Sequence, residues 1–297
     1  MIATIIFSGV AAALVYLAGR KDAARDPRLT GVALVLLAVF PLLASLVPKV
    51  AVLPVSSGGG AEAGFQWMSV VVGIWALGFG AALLRLAVTA GILIDWRRRS
   101  VLIDRAGRIE VRKLRGLKGP VAAGVFRPVV FVPEAWNEWS DRTRKIVLDH
   151  ETAHHHRRDP LWRWVAEIAC AVNWCNPLVW WMVRRLTMQC EFACDTWVLR
   201  KGVPRADYAA LLCDLAEDSV SQGPALAMAE RSSLEVRVSR LMDSRKPQGI
   251  LAIPLLIALV IVSASVLVLT GSKATVSEPI PPDEVRTRWA ADPFPGE

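Results

Sequence analysis

Residues 149–159 read Asp149-His-Glu-Thr-Ala-His-His-His-Arg-Arg-Asp159, and within them His150, Glu151 and His154 form an HExxH pattern. On an α-helix, positions i and i+4 share a face one turn apart. His150 and His154 can therefore offer two imidazoles to one metal, with Glu151 in reach of a water held there. Zinc lowers the pKa of such a water to about 7, so that a carboxylate can take its proton. Hydrolysis of this kind needs a third protein ligand and an open position. Glu191, in Cys190-Glu-Phe-Ala-Cys-Asp195, is the candidate. Glu191 and Asp195 are again i and i+4, so Asp195 can accept the second ring hydrogen of a ligating histidine and fix its tautomer. The plain alternative is a helix with incidental histidines forming a solvated face, three of the four in the chain being contiguous. The ExxxD spacing on a second helix argues against it.

Other residues near this constellation have plainer readings. His155 and His156 fall off the ligand face and are expected at the surface or behind the ligands. Asp159 is expected to cap the next helix or hold an arginine. Cys190 and Cys194 flank Glu191, but a carboxylate already completes a hydrolytic site, so thiolate ligation is not expected. Gly124, Val125 and Phe126 open a β-branched run to Val132 that is expected to form an edge strand near the cleft. Such an edge can bind an extended peptide by strand addition; an ordinary core strand is the equal alternative. Tyr208, with Arg205 behind it, is the expected donor to the oxyanion.

These residues need elements to position them. Ser140 or Asp141 can cap a helix carrying the histidines, with Ile146, Val147 and Ala153 as apolar positions. A second helix is predicted from Pro177, near N1, to Arg200, just before Gly202. Shorter helices are expected at Arg205–Glu217 and Leu234–Met242. Val101–Ile103 and Ile109–Val111 flank a turn-rich insert and read as β structure, as does Pro120–Pro133, broken by Gly124 and Pro128. The run from Leu161 to Val183 is apolar and tryptophan-rich, but Arg163, Glu167, Asn173 and Asn176-Pro177 interrupt it. It reads as two buried helices joined at Asn176, with tryptophans leaning on the membrane surface.

A hydrophobic fraction of 54% over 297 residues, with mean hydropathy +0.39, exceeds the soluble norm. The apolar residues concentrate in four runs, predicting transmembrane helices at about 2–19, 31–54, 67–94 and 250–270. Ser56–Gly64 reads as a flexible loop, and Arg85 inside the third run as snorkelling or facing the bundle. The net charge of +8 could suggest nucleic acid, but the basic residues flank apolar runs: Arg20–Arg28, Arg97–Arg99 and Arg245-Lys246. Basic flanks set membrane orientation, so no direct nucleic-acid binding is expected. Counting them places the N-terminus outside, 95–248 in the cytosol and a short tail, 271–297, outside. The five cysteines include no CxxC pair, which argues against a disulfide framework, and reduced thiols are expected in the cytosol. The predicted fold class is an α-helical membrane protein of four transmembrane helices, with a cytosolic α+β zinc peptidase domain between the third and fourth.

The ordered motifs resemble those of the BlaR/MecR-type membrane metallopeptidases, the antirepressor sensor-transducers. The matching pieces are Gly124-Val-Phe-Arg-Pro-Val-Val-Phe-Val-Pro133, Asp149-His-Glu-Thr-Ala-His154 with Arg158-Asp159, Asn176-Pro-Leu-Val-Trp180, Glu191-Phe-Ala-Cys-Asp195 and Tyr208-Ala-Ala-Leu-Leu212. The resemblance implies a gluzincin-like domain with zinc on His150, His154 and Glu191, and Glu151 as the catalytic carboxylate. It implies signalling by proteolysis, of the protein itself and of a transcriptional repressor, from the cell (inner) membrane. The expected partners are a protein substrate, a winged-helix repressor being the candidate, and the lipid bilayer; a homodimer is left open. Only about 27 residues follow the fourth run, with no SxxK motif, so covalent β-lactam sensing is not expected. The alternatives are a quality-control protease of the HtpX/Ste24 type and a non-catalytic membrane scaffold. A scaffold has no need of Glu151.

Overall fold

The computed structural model describes residues 8–13, 15–16, 27–46, 61–219 and 224–243. The expected fourth span and tail, and most of the first span, lie outside these residues, although 8–13 and 15–16 are helical. Two helices follow, α1 (Pro27–Leu46) and α2 (Ala61–Arg99). Each begins before its expected start: Pro27 rather than Gly31, and Ala61 rather than Trp67. The Ala61–Gly64 part of the expected flexible loop is thus helical. Among the described residues one helix, Ser69–Arg99, is long and apolar enough to cross a membrane. Its last turn carries Arg97, Arg98 and Arg99, cations where the helix dipole is negative.

A four-stranded sheet comes next, with strands β1 (Val101–Ala106), β2 (Ile109–Lys113), β3 (Val121–Ala123) and β4 (Val129–Val132) in the order β1-β2-β4-β3. β2 and β4 are parallel and the outer pairings antiparallel. Every residue of β4 is buried because both faces of the sheet are covered over this inner strand, whereas β1 is exposed along its length. Val130 and Val132 meet Val147 and Trp136 on one side. Val129 and Phe131 meet Leu93 and Trp96 at the end of α2 on the other, with Trp96 edge-on to Phe131 at 5.8 Å.

The rest of the described chain is helical: α3 (Asp141–His156), α4 (Asp159–Val172), α5 (Pro177–Arg200), α6 (Arg205–Ser219) and α7 (Pro224–Met242). Ser140 caps α3 by accepting from the Thr143 amide, and Asn176 caps α5 by accepting from Leu178. Pro177 then sits where a missing N–H costs nothing.

The tryptophan-rich run is the helical hairpin α4–α5, and it does more than lean on a surface. It packs along α1, with Leu34, Leu37, Ala169, Cys170, Val179 and Met182 in one core. Its turn reaches Gly78, about 30 Å along α2 from Arg99 at the helical rise. A Cβ on Gly78 would overlap the Trp174 indole, so only glycine lets the turn approach this closely. Polar residues along the hairpin and α1 are paired. Asn173 donates to Leu37 O (3.2 Å), Asn176 to Ser8 Oγ (2.7 Å) and Thr30 to Gln189 (2.8 Å). Arg85 faces the hairpin, where it pairs with Glu167 and lies over the Trp180 ring.

Candidate metal centre

α3 lies between the sheet, which it meets through Val147, and the α5–α6–α7 layer, which it meets through Ile146. That placement turns the next residues along the helix, His150 and His154, toward α5. Their rings lie 5.1 Å apart and nearly perpendicular. His150 Nε2 is 3.4 Å from Glu191 Oε2, and His154 Nε2 is 3.7 Å from Glu191 Oε1. A tetrahedral ion with bonds of about 2.1 Å requires ligand atoms about 3.4 Å apart. The two histidine–carboxylate separations lie near that spacing, and the three largely buried side chains could hold one metal ion. Glu151, also buried, lines the same cleft of about 380 Å³.

The far sides of the rings bear out the orientation. With Nε2 aimed at the shared point, each Nδ1 carries the proton and needs an acceptor. His154 Nδ1 finds Asp159 Oδ2 at 2.9 Å. Asp159 is placed there by a break between α3 and α4 in which Arg158 takes a left-handed conformation, φ 61°. Its position behind a ligand was not apparent from the sequence, where five residues and a helix break separate it from His154.

His150 Nδ1 donates to Tyr208 Oη (2.9 Å), and Tyr208 in turn donates to Asp195 Oδ1 (2.8 Å). The direct His150–Asp195 separation is 3.4 Å, so the link to Asp195 runs through the phenol. This corrects the expected role of Tyr208. Its hydroxyl is spent behind His150, on the side away from Glu191, and the residue is 1% exposed. Its hydroxyl bonds link His150 to Asp195 instead of facing the expected oxyanion position. Arg205 instead donates to Leu241 O and Asp243 O.

Arg237, on α7, completes the arrangement. It grips Asp195 through two nitrogens (3.0 and 2.6 Å) and reaches Glu191 Oε2 at 3.2 Å. Nothing in the sequence marked it, 42 residues beyond Asp195 on a helix that carries no motif. Arg163 of α4 lies on the other side of Glu191, 3.4 Å from Oε1, and is half exposed at the cleft. Burial opposes ionisation of Glu191, yet hydrogen bonding to His150 and the charges of His154 and Arg237 hold its carboxyl well below the usual range. Burial likewise pulls the His154 pKa down, but the Asp159 hydrogen bond and the Glu191 and Glu151 charges outweigh it and leave it raised.

The remaining expectations sort by distance. Cys194 Sγ is 3.3 Å from His154 Nδ1 and so behind the ring, and burial pushes its thiol far up, as it does for Cys190. His155 bonds Val129 O, and His156 stacks on Trp197. The expected substrate strand is corrected. Gly124, Val125 and Phe126 form a turn that leaves the cleft, because Gly124 adopts φ +83° and ends β3. The edge strand at the cleft is β3 itself, with Val121 and Ala122 in the lining.

The sequence family described as "BlaR1 peptidase M56" matches residues 63–241, which contain all of these side chains. Among curated proteins, the "Regulatory protein BlaR1" of Bacillus licheniformis is 34% identical over 84 residues. That alignment covers 28% of this chain and 14% of the Bacillus protein.

Proposed function

This chain belongs to the BlaR1 peptidase M56 family, and on that premise we propose that it is a membrane-anchored zinc endopeptidase of a signalling pathway. Its proposed substrate is a protein at the cytosolic face, either a second site on itself or a transcriptional repressor. The observation that carries the reading is the convergence of His150 Nε2, His154 Nε2 and Glu191 at ligand spacing beside Glu151.

When bound, zinc would polarise the scissile carbonyl and lower the pKa of the attacking water. The chain's own residues do the rest. An extended peptide adds to the free edge of β3, which presents backbone groups along the cleft. Glu151 takes the proton of the attacking water and returns it to the leaving amide nitrogen, as a general base and then acid. Arg163 is the half-exposed cation at the cleft and replaces Tyr208 as donor to the charge developing on the carbonyl oxygen. Asp159, Tyr208, Asp195 and Arg237 keep the ligands oriented.

The proposed topology keeps four spans, with α1 as the second and α2 as the third. α1 enters at the level of the metal centre, where Thr30 meets Gln189, and reaches the hairpin turn at Leu37. The basic residues before α1 and after α2 then share one side with the peptidase, as a cytosolic face requires. The test is proteolysis by the purified full chain, of itself and of a repressor encoded nearby, with wild-type and Glu151→Gln protein, with and without chelator. Cleavage only by untreated wild-type protein is expected; equal processing in every arm would leave a scaffold as the reading.

A further inference from the structure

The Gly124–Pro128 turn has no part in the cleft, yet it is built with care. Gly124 takes a positive φ, and a Cβ there would overlap Arg127 O, so the turn closes only with glycine. The Arg97 guanidinium donates to the same Arg127 carbonyl at 3.3 Å, which ties the turn to the last turn of α2. At the tip stands Phe126, 96% exposed. A fixed turn that holds a whole phenyl ring in water calls for an occupant.

Three observations say which. The tie to Arg97 puts the tip at the end of the helix fit to cross a membrane, whose preceding residues expose a broad apolar surface from Val70 to Ile94. Phe126 also shares a groove of about 600 Å³ with Leu161, which is 39% exposed at the start of α4, so apolar surface continues from the turn onto the hairpin. Arg98, Arg127 and Arg158 are exposed nearby, and none of them has a carboxylate partner among the described residues. An aromatic tip at the level of a basic collar matches the boundary between acyl chains and headgroups. Unpaired arginines at that depth match anionic headgroups.

We propose that the Gly124–Pro128 turn is a membrane-surface anchor: Phe126 enters the interface of the cytosolic leaflet, and Arg127 and Arg158 bind anionic lipid headgroups around it. The anchor holds β3 and β4, and through them the edge of the cleft, at a set height against the bilayer. The inference rests on α2 crossing the membrane, and the test separates the two ideas.

The full chain carrying Cys175→Ser, Cys213→Ser and Phe126→Cys would be labelled with an environment-sensitive fluorophore. It would be reconstituted in nanodiscs of phosphatidylcholine alone or mixed with phosphatidylglycerol. A parallel Leu84→Cys protein, labelled on the 67%-exposed outer position of α2, reports on the span. Quenching by acrylamide from the aqueous phase is the readout. At position 126 the quenching constant should fall at least threefold from detergent to phosphatidylglycerol discs, and clearly less in phosphatidylcholine. Arg127→Gln with Arg158→Gln should remove at least half of the difference between the two lipids. Full quenching at 126 with protection at 84 would overturn the anchor alone. Quenching at both positions would overturn the span and the anchor with it. Equal protection in both lipids would overturn the headgroup assignment. Protection that appears only with two chains per disc would overturn it in favour of a self-contact.

Discussion

The α4–α5 hairpin has two ends, and the same two helices solve opposite problems there. At one end Asp159, Arg163, Glu191 and Asp195 gather charge around a cleft, each held by partners on other elements. At the other, Ala169, Val179 and Met182 pack against α1, and the buried amides Asn173 and Asn176 are hydrogen-bonded, while the charged Glu167 pairs with Arg85 on the exposed side. A charge out of water is tolerable only inside a network, whereas a neutral amide needs a single partner. The difference implies separable roles. Changes at the charged end should alter metal binding and catalysis, and changes at the apolar end should alter stability.

The sharpest attempt to break that division is Glu191→Ala. It should weaken zinc binding by more than about 100-fold, beyond the 10–100-fold typical of supporting groups, measured by competition with a chelating dye. Thermal unfolding of the metal-free protein should not show a matching collapse. Arg237→Ala comes next, with an expected loss of about 10–100-fold in zinc affinity and activity recovered at high zinc. Full activity at trace zinc would remove Arg237 from the network.

At the apolar end, Gly78→Val drives a side chain into Trp174 and should destabilise by about 1–3 kcal/mol. Thermal unfolding in detergent checks this, and zinc affinity per folded molecule should hold. A fall in affinity instead would show that the two ends are coupled.

The smallest effect is one of pH. His154 has a raised pKa without metal. Its protonated form therefore stabilises the metal-free protein fully below about pH 6.5, and that contribution is lost as pH rises through the raised value. Zinc must displace the same proton, so affinity rises over the same window. The melting temperature gap between zinc-loaded and metal-free protein should widen from pH 6 to pH 8. A constant gap would contradict the assignment.

Local signals carried much of this architecture. Asn176, Pro177 and Gly202 mark the ends of α5, and the strands fall around turn residues visible in the chain. The spacings in HExxH and ExxxD each place two side chains on one face, so the metal cluster needed only the meeting of two helices. What stayed hidden depends on distant partners. Arg237 sits on a helix with no motif, and Tyr208 looked like a donor because its place behind His150 depends on how α6 packs. The polar residues of the hairpin read as interruptions because Glu167 and Asn173 find their partners in Arg85 and Leu37, 82 and 136 residues away in the chain.

The continuity of α5 has a mechanical consequence. From Asn176 to Arg200 the helix has no break, so Met182, wedged against α1, and Glu191 travel as one stiff rod. The imidazoles ride on α3, which is fastened to the sheet. The candidate ligands thus ride on two helices, one packed along α1 and the other set between the sheet and α5. Any shift of the rod relative to the sheet changes the bite of the carboxylate on the ion, in distance or in angle.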